Sequence, residues 1–235
     1  MADAPFALDL APHGSMSIDC IVNGPIETNT YFAVSGDEAV VIDPAWDGVE
    51  LARQFATRHP GVRIRALVCT HGHADHVGGV AGMRRVLGED TPYLISRRDA
   101  DFVPGALRHM KENWNFEMED PGEPTRLLDE GDEVRFGDVR LQVFDVPGHT
   151  PGGIALFAAT EDGNLAFVGD TLFPGRHGRT DLEGGSEAAV IRSLGKMAHL
   201  MPDDTLCLIG HDETTTIGRE RATNPFMVRG LRHFA

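Results

Sequence analysis

Hydrophobic positions in the first half of the chain fall into short runs separated by Gly, Pro and Asn. Their composition is typical of β-strands, and the predicted strands cover residues 18–22, 30–35, 39–42, 64–69 and 93–96. Apolar residues at helical spacing predict helices between the strands, at 49–59 before Pro60, at 77–87 and near Asp99. The first half therefore alternates strands with helices after an antiparallel start.

The second half repeats this order after an interruption. Predicted strands lie near residues 139–146, 154–159 and 165–168, and a helix near 187–199 precedes a last strand at 206–209. Two halves of similar order predict an α/β protein in which two sheets pack face to face and carry their helices on the outer faces.

Residues 104–124 interrupt this pattern and show no sustained period. Their aromatic residues, Trp114 and Phe116, are expected to pack, so we interpret the segment as an irregular insertion or lid rather than a linker. The segment is a candidate for part of a substrate-binding wall, within a single domain spanning residues 1–235.

Composition narrows the classes of function. The chain has 21 basic and 36 acidic residues and a formal net charge of −15, so nucleic acid is not an expected partner. No apolar run approaches the roughly 18 residues of a membrane span, and residues 1–15 lack the pattern of a secretory signal. The three cysteines show no close pairing, which favours a reducing compartment, and we expect a cytoplasmic protein.

The strongest chemical signal is the sequence H-G-H-A-D-H at residues 71–76. It places four side chains that can coordinate metal within six positions: His71, His73, Asp75 and His76. In an extended segment, residues two apart point to the same side, so His71 and His73 can share one ion. A helix that starts near Asp75 would turn the side chains of Asp75 and His76 toward a position next to that ion. Asp75 could also cap this helix as a second role.

Three more candidate ligands follow apolar strands, each directly after a glycine: His149, Asp170 and His211. Glycine permits a sharp turn and a close backbone approach at each of these strand ends. Seven ligands exceed the roughly four that one tetrahedral zinc takes, so we expect two ions with an aspartate as the bridge. Two such ions can share a water of lowered pKa, and the chain lacks the G-x-S-x-G, P-loop and dinucleotide motifs.

These residues resemble, in order and rough spacing, the ligand set of the metallo-β-lactamase superfamily over about residues 18–224. The resemblance implies an αββα sandwich, with two mixed sheets, outer helices and a binuclear site between the sheets. It also implies that His71, His73 and His149 hold the first metal, that Asp75, His76 and His211 hold the second, and that Asp170 bridges them.

Within the superfamily, the runs G-D-T-L-F at 169–173, G-R at 178–179 and R-E-R-A-T-N-P-F-M at 219–227 are similar to the glyoxalase II group. That similarity implies hydrolysis of a small acyl thioester, such as a glutathione thioester, by a metal-bridging hydroxide that Asp75 orients. The implied cofactors are two divalent ions, with zinc expected and iron or manganese as alternatives. Arg176 and Arg179 are candidates to clamp a substrate carboxylate, and ordinary ion pairs with nearby acids are an equal alternative.

Two departures from glyoxalase II keep other functions open. Asp181 stands where that group has an aromatic residue, and only 24 residues follow His211, too few for its helical glutathione-binding domain. The run 178–181 is also similar to iron-dependent persulfide dioxygenases, in which His71, His149 and Asp170 would hold one iron. A lactonase or other hydrolase on the same site, and a non-catalytic relic of the fold, are further alternatives.

The segment between the third predicted strand and the next helix offers one more polar candidate. Asp43 follows the apolar run Val40–Ile42 and precedes Pro44. Its carboxylate is a candidate partner for the non-ligating nitrogen of a metal-binding histidine. A plain turn residue is an equal alternative at this position.

Overall fold

The structure is a computed structural model that describes residues 6–234. Residues 1–5 and 235 lie outside the described part of the chain. They include both ends of the expected single domain and the first positions of the segment 1–15, which is expected to lack a secretory signal. The first half forms a six-stranded sheet whose strands follow one another in sequence order. These strands and their helices are β1 (Ser17–Asn23), β2 (Thr28–Ser35), β3 (Glu38–Ile42), α1 (Gly48–Arg58), β4 (Arg63–Val68), α2 (Ala74–Val77), α3 (Val80–Leu87), β5 (Tyr93–Ser96), α4 (Arg97–Ala100), α5 (Val103–Trp114) and β6 (Arg126–Leu128).

The second half forms another six-stranded sheet, in the order β14-β13-β10-β9-β8-β7. A separate two-stranded hairpin, β11–β12, follows β10 in the chain. The elements of this half are β7 (Glu133–Phe136), β8 (Val139–Asp145), β9 (Ile154–Thr160), β10 (Gly163–Gly169), β11 (Leu172–Phe173), β12 (Arg176–His177), α6 (Glu187–Leu200), β13 (Leu206–Ile209), β14 (Thr215–Thr216), α7 (Ile217–Thr223) and α8 (Pro225–Leu231).

Both sheets mix antiparallel and parallel pairs. Strands β1 to β3 pair antiparallel, as the turn residues between them predict, and β3 to β6 pair parallel. In the second sheet only the β10–β13 pair is parallel among the described strands. Parallel neighbours need crossover connections, and helices α1 and α6 belong to two of these connections.

Alternation along the strands divides the core into three layers. Tyr31 of β2 and Leu156 of β9 face the other sheet, while Phe32 and Phe157, one position further on, face the outer helices. The Phe32 ring meets the Phe55 ring of α1 edge to face at 5.1 Å. The fold is therefore the αββα sandwich that was expected.

The structure corrects the expected irregular insertion at 104–124. Its first half is helix α5, which buries Val103, Ala106 and Met110 on one face, and only residues 115–124 lack regular structure. Pro104 lies in the first turn of α5, where its missing N–H costs no hydrogen bond.

The helix predicted at 77–87 is also divided, into α2 and α3. The chain passes so close to Pro44 at Gly79 that a side chain there would have its Cβ 2.8 Å from the Pro44 carbonyl oxygen. Helices α7 and α8 were not predicted. No helix among residues 6–234 combines the length and the apolar character that crossing a membrane requires.

Candidate metal centre

The seven predicted ligand residues meet at one edge of the two sheets. The segment 71–76 leaves the end of β4 and enters α2, whose N-cap is His73. His149 follows β8, Asp170 follows β10 and His211 follows β13. The end of β4 in the first sheet meets the ends of β8, β10 and β13 in the second sheet, so residues separated by up to 140 positions become neighbours.

Among the described residues, three sets of potential ligand atoms lie within 4.8 Å of one another. Two of them coincide with the groups that the sequence resemblance implied, and the third joins the groups through Asp170. The three sets are His71, His73 and His149; Asp75, His76 and His211; and His71, His76 and Asp170.

The Asp170 carboxylate lies between the two histidine groups. Its Oδ2 is 3.5 Å from His149 Nε2 and 3.5 Å from His211 Nε2, and its Oδ1 is 3.6 Å from His76 Nε2. On the second side, Asp75 Oδ2 is 3.2 Å from His211 Nε2 and 3.5 Å from His76 Nε2. Both aspartates thus lie close to the imidazoles of His76 and His211.

Hydrogen bonds at the far side of the rings determine which nitrogen faces the centre. His149 Nδ1 donates to the Arg179 carbonyl oxygen at 2.8 Å, and His211 Nδ1 donates to the Ile26 carbonyl oxygen at 3.2 Å. A carbonyl oxygen can only accept, so the proton of each neutral ring lies on Nδ1. The Nε2 lone pair of each ring is therefore directed at the centre.

Asp43 determines the same tautomer for two more rings. His76 Nδ1 lies 2.9 Å from Asp43 Oδ2, and the Thr70 hydroxyl donates to that same oxygen at 2.7 Å. Because Thr70 has given its only hydroxyl proton to Asp43, it can only accept from His71 Nδ1, 3.1 Å away. Asp43 is thus a hydrogen-bond partner of a histidine of this cluster, in agreement with one of the two alternatives open from the sequence.

Burial and neighbouring charges set the protonation of the group in the absence of metal. Burial lowers the pKa of His71 well below its ordinary value and that of His73 to about 3, and nearby histidines add to both effects. Burial also opposes the charged form of His76, but Asp75, Asp43 and Asp170 outweigh it and raise its pKa. Burial disfavours the Asp75 carboxylate, yet His76 and the other histidines lower its pKa overall.

This donor set fits divalent cations. His71 Nε2 and Asp170 Oδ1 are buried and have no hydrogen-bond partner, which is unusual for buried polar atoms. Both atoms face a cluster of other lone pairs, including His149 Nε2 and His73 Nδ1 only 2.8 Å apart. Imidazole nitrogen and carboxylate oxygen together are ligands typical of zinc and iron.

Glycine at two strand ends lets the chain pass this close to the centre. Gly169 has φ of +48°, and any side chain at Gly210 would place its Cβ 2.1 Å from Asp170 Oδ1 and 2.7 Å from His76 Cε1. The expected close backbone approach is therefore confirmed at Gly210. At Gly169 the chain makes the expected sharp turn, in a left-handed conformation that glycine adopts readily.

A cleft of about 380 Å³ opens from the centre to the surface. One wall is helix α5, which contributes Phe102 at its N-cap, Ala106, Met110 and Trp114. Trp114 is 50% exposed and lines the cleft, so it does not pack as expected, whereas Phe116 packs edge to face on Trp46. The sequence analysis proposed the segment 104–124 for part of a substrate-binding wall but did not predict this helix, although the spacing of four residues between its apolar positions is helical.

The other wall contains both candidate anion-binding arginines. Arg176 and Arg179 line the cleft, and each forms an ion pair with a nearby acid, Asp212 and Asp181 respectively. The ion pairs are one of the two alternatives open from the sequence, and both arginines also line the cleft. Asp181, which stands where the glyoxalase II group has an aromatic residue, thus forms an ion pair with Arg179.

Comparison with known proteins agrees with this geometry. The profile of the Metallo-beta-lactamase superfamily matches residues 23–211. The Probable metallo-hydrolase YqgX of Bacillus subtilis is 31% identical over 87% of this chain and 94% of its own length. Hydroxyacylglutathione hydrolase GloC of Haemophilus influenzae is 30% identical over 80% of this chain and 87% of its own length. Mitochondrial persulfide dioxygenase ETHE1 of Bos taurus is 30% identical over 87% of this chain and 74% of its own length.

Solved structures show the same architecture. The B3 metallo-beta-lactamase BLEG-1 superposes with a TM-score of 0.80 and 29% identity, covering 90% of this chain and 99% of its own. TTHA1623, in a di-iron-bound form, superposes with a TM-score of 0.78 and 35% identity, covering 88% of this chain and 99% of its own. From the profile match, the relatives and the shared fold, the chain belongs to the metallo-beta-lactamase superfamily.

Proposed function

We propose that this protein is a metal-dependent hydrolase of small acyl thioesters. One divalent cation would be held by His71, His73 and His149 and a second by Asp75, His76 and His211, with Asp170 between them. The observation that most supports this proposal is the Asp170 carboxylate, whose oxygens lie 3.5 to 3.6 Å from imidazoles of both groups. A carboxylate has two oxygens and can serve two cations, whereas an imidazole in a fixed tautomer offers one lone pair.

When bound, a pair of cations supplies a water of lowered pKa and a Lewis acid for a carbonyl oxygen. Asp75 would accept a hydrogen bond from the attacking water and orient it, which is the catalytic role that we propose for it. The Thr28 hydroxyl donates to Asp75 Oδ2 at 3.2 Å and holds the carboxylate toward the centre. The described lining of the cleft includes no serine, threonine or cysteine, which supports water as the nucleophile.

The two walls of the cleft indicate the substrate class. Helix α5 offers an apolar surface to an acyl chain, and Arg176 and Arg179 offer guanidinium groups to a carboxylate on the thiol portion. A thioester with an anionic thiol, such as a glutathione thioester, matches this division. The GloC relative carries the name of such an activity, which adds support from comparison.

Hydrolysis of S-lactoylglutathione and of a simple acyl thioester by the metal-loaded protein tests the proposal. We expect both to be cleaved, and Asp170→Asn to lower kcat/KM by at least about 100-fold because one shared ligand charge is lost. Asp162→Asn, an exposed turn residue outside the cleft, is the matched control. No cleavage of either thioester by protein that contains two bound metal ions would refute the proposal.

An iron-dependent persulfide dioxygenase is the second candidate, because the ETHE1 relative is as similar in identity as GloC and covers more of this chain. In that reading His71, His149 and Asp170 would hold a single iron. Metal content of protein purified without added metal separates the two candidates. One iron per chain, with oxygen uptake on glutathione persulfide, favours the dioxygenase, and two metal ions with thioester cleavage favour the hydrolase.

We also propose a cytoplasmic location and a single domain over residues 1–235. Cys20, Cys69 and Cys207 form no disulfide, which supports a reducing compartment. Cell fractionation tests the location. A single cooperative unfolding transition of the metal-loaded protein tests the domain assignment.

A further inference from the structure

A buried carboxylate in the last part of the chain contacts the wall of the cleft rather than the metal-facing groups. Glu220 of α7 is 0% exposed. Its Oε1 accepts from Thr215 Oγ1 at 2.6 Å, and its Oε2 accepts from Gly175 N at 2.7 Å and Asn224 Nδ2 at 3.1 Å. These donors are all uncharged. Because a buried carboxylate is costly unless its oxygens are hydrogen-bonded, this arrangement ties three segments of the chain to one side chain.

The Gly175 amide belongs to the tip of the β11–β12 hairpin. Pro174 and Gly175 form its turn, Gly175 has φ of +70°, and Phe173 pairs with Arg176 across it, as in a type II turn. The hairpin is a two-stranded sheet of its own. Since an isolated two-stranded hairpin is only marginally stable, its position depends on contacts from outside, and the Glu220 contact is one of them.

Asn224 supplies a second contact of the same kind. This residue is fully buried, and its Nδ2 donates to the Arg176 carbonyl oxygen at 3.0 Å and the Phe173 carbonyl oxygen at 3.4 Å. Its Oδ1 accepts from Phe226 N at 3.0 Å and Met227 N at 3.3 Å at the start of α8. One amide side chain therefore joins the hairpin backbone to the C-terminal helices.

The hairpin carries two residues of the cleft wall, Phe173 and Arg176. The guanidinium carbon of Arg176 lies 4.5 Å from the centroid of the Phe173 ring, and its charge pairs with Asp212, next to His211. The Arg176 side chain is 56% exposed, so these contacts and the hairpin backbone orient it, and burial does not. The direction in which it presents its charge therefore depends on the backbone from which it starts.

We propose that Glu220 and Asn224 are positioning residues for substrate recognition, which hold the β11–β12 hairpin so that Arg176 faces an anionic group of the substrate. This inference rests on the proposed thioester hydrolysis. It gives a physical role to the segment 219–227, which neither lines the cleft nor belongs to the groups of candidate metal ligands. The segment acts through the hairpin backbone and not by touching the substrate.

Steady-state kinetics test this role. We expect Glu220→Ala to raise KM for S-lactoylglutathione, which carries carboxylates, by roughly three- to tenfold. We expect kcat, and KM for an uncharged thioester such as ethyl thioacetate, to change less than about twofold. Glu220→Gln keeps an oxygen for the Gly175 and Asn224 donors and should restore KM. Glu187→Ala, an exposed acid in the first turn of α6, is the control for charge removal.

A double-mutant cycle shows whether Glu220 acts through Arg176. In the Arg176→Ala background, Glu220→Ala should raise KM no further, because the charge that it positions is gone. Additive effects of the two substitutions, or equal losses with charged and uncharged thioesters, would overturn the proposal. If Glu220→Ala does not fold, Asn224→Ser takes its place. Serine can still cap α8, but its side chain is one atom shorter than the amide that reaches the hairpin carbonyls.

Hydrogen exchange of the Gly175 amide tests the hairpin contact without any turnover. Exchange should accelerate at least about tenfold in Glu220→Ala and stay slow in Glu220→Gln, since the amide loses its acceptor only in the first variant. Unchanged exchange in Glu220→Ala would overturn the inference. If the wild-type protein cleaves no thioester, the proposed function fails, while the exchange rates still decide whether Glu220 holds the hairpin.

Discussion

Asp43 Oδ2 lies 2.9 Å from His76 Nδ1, although 33 positions separate the two residues in the chain. The same carboxylate accepts hydrogen bonds from the Thr70 backbone amide and hydroxyl, both at 2.7 Å. Asp43 has a left-handed backbone with φ of +50°, a conformation that costs energy for a residue other than glycine and is tolerated where surrounding contacts determine it. A buried carboxylate thus fixes the end of β4 and, with it, the rings of His71 and His76.

Replacing Asp43 by Asn should weaken metal binding. The new amide places an N–H where the carboxylate accepted from His76 Nδ1, so the ring proton is driven to Nε2, the atom that faces the centre. We expect metal affinity to fall by roughly 10- to 100-fold, measured by competition with a chromophoric chelator. Asp47→Asn removes the same charge from the exposed N-cap of α1 and should keep the wild-type affinity. Equal affinities of the two variants would contradict this assignment.

A side chain at Gly210 should disrupt the centre. In Gly210→Ala the added Cβ would lie 2.1 Å from Asp170 Oδ1, so either the carboxylate or the strand end must move. We expect fewer than two metal ions per chain and a loss of hydrolysis of at least about 100-fold, because misplacement by about 1 Å is costly in catalysis. Circular dichroism checks that the fold is retained. Two tightly bound ions in the variant would show that the prediction is wrong.

Trp114 should contribute to the binding of apolar acyl groups. Its side chain is half exposed on the cleft wall, and covering it with an acyl chain is worth about 1–2 kcal/mol at 25 cal/mol per Å². Trp114→Ala should therefore raise KM roughly tenfold for a long acyl thioester and little for an acetyl thioester. Val86→Ala, an exposed apolar residue of α3 outside the cleft, is the control. A KM that does not depend on acyl length would refute this role.

Metal affinity should decrease as the pH falls. Five of the seven proposed ligands are imidazoles, which bind metal only when the facing nitrogen is unprotonated. Protons therefore compete with the metal already above the ordinary histidine pKa at His76 and His211, whose pKa values nearby carboxylates raise in spite of burial. At His71 and His73, whose pKa values burial lowers, protons compete only in acid. Titration calorimetry at several pH values should show affinity rising with pH and protons released on binding. An affinity that is constant from about pH 5 to 8 would contradict histidine ligation.

Much of the site could be predicted because its residues form local patterns that are recognisable in the sequence. The cluster at 71–76 is contiguous, and His149, Asp170 and His211 each follow an apolar strand and a glycine. Helix α5 was missed for a local reason as well. Pro104 and Gly105 resemble a turn, yet both fit a helix whose buried residues Val103, Ala106 and Met110 keep a helical period.

Residue types and their spacing were enough to predict which side chains can hold metal, because ligand chemistry belongs to the residue type and strand ends follow from the hydrophobic pattern. The protonation, pairing and orientation of these groups depend instead on contacts that form when the chain folds. The contacts of Asp43 with Thr70 and His76, of Glu220 with Gly175 and of Arg176 with Asp212 join residues 27 to 45 positions apart along the chain. Hydrogen bonds and ion pairs depend on separations of about 3 Å in space, which no local pattern of residues encodes.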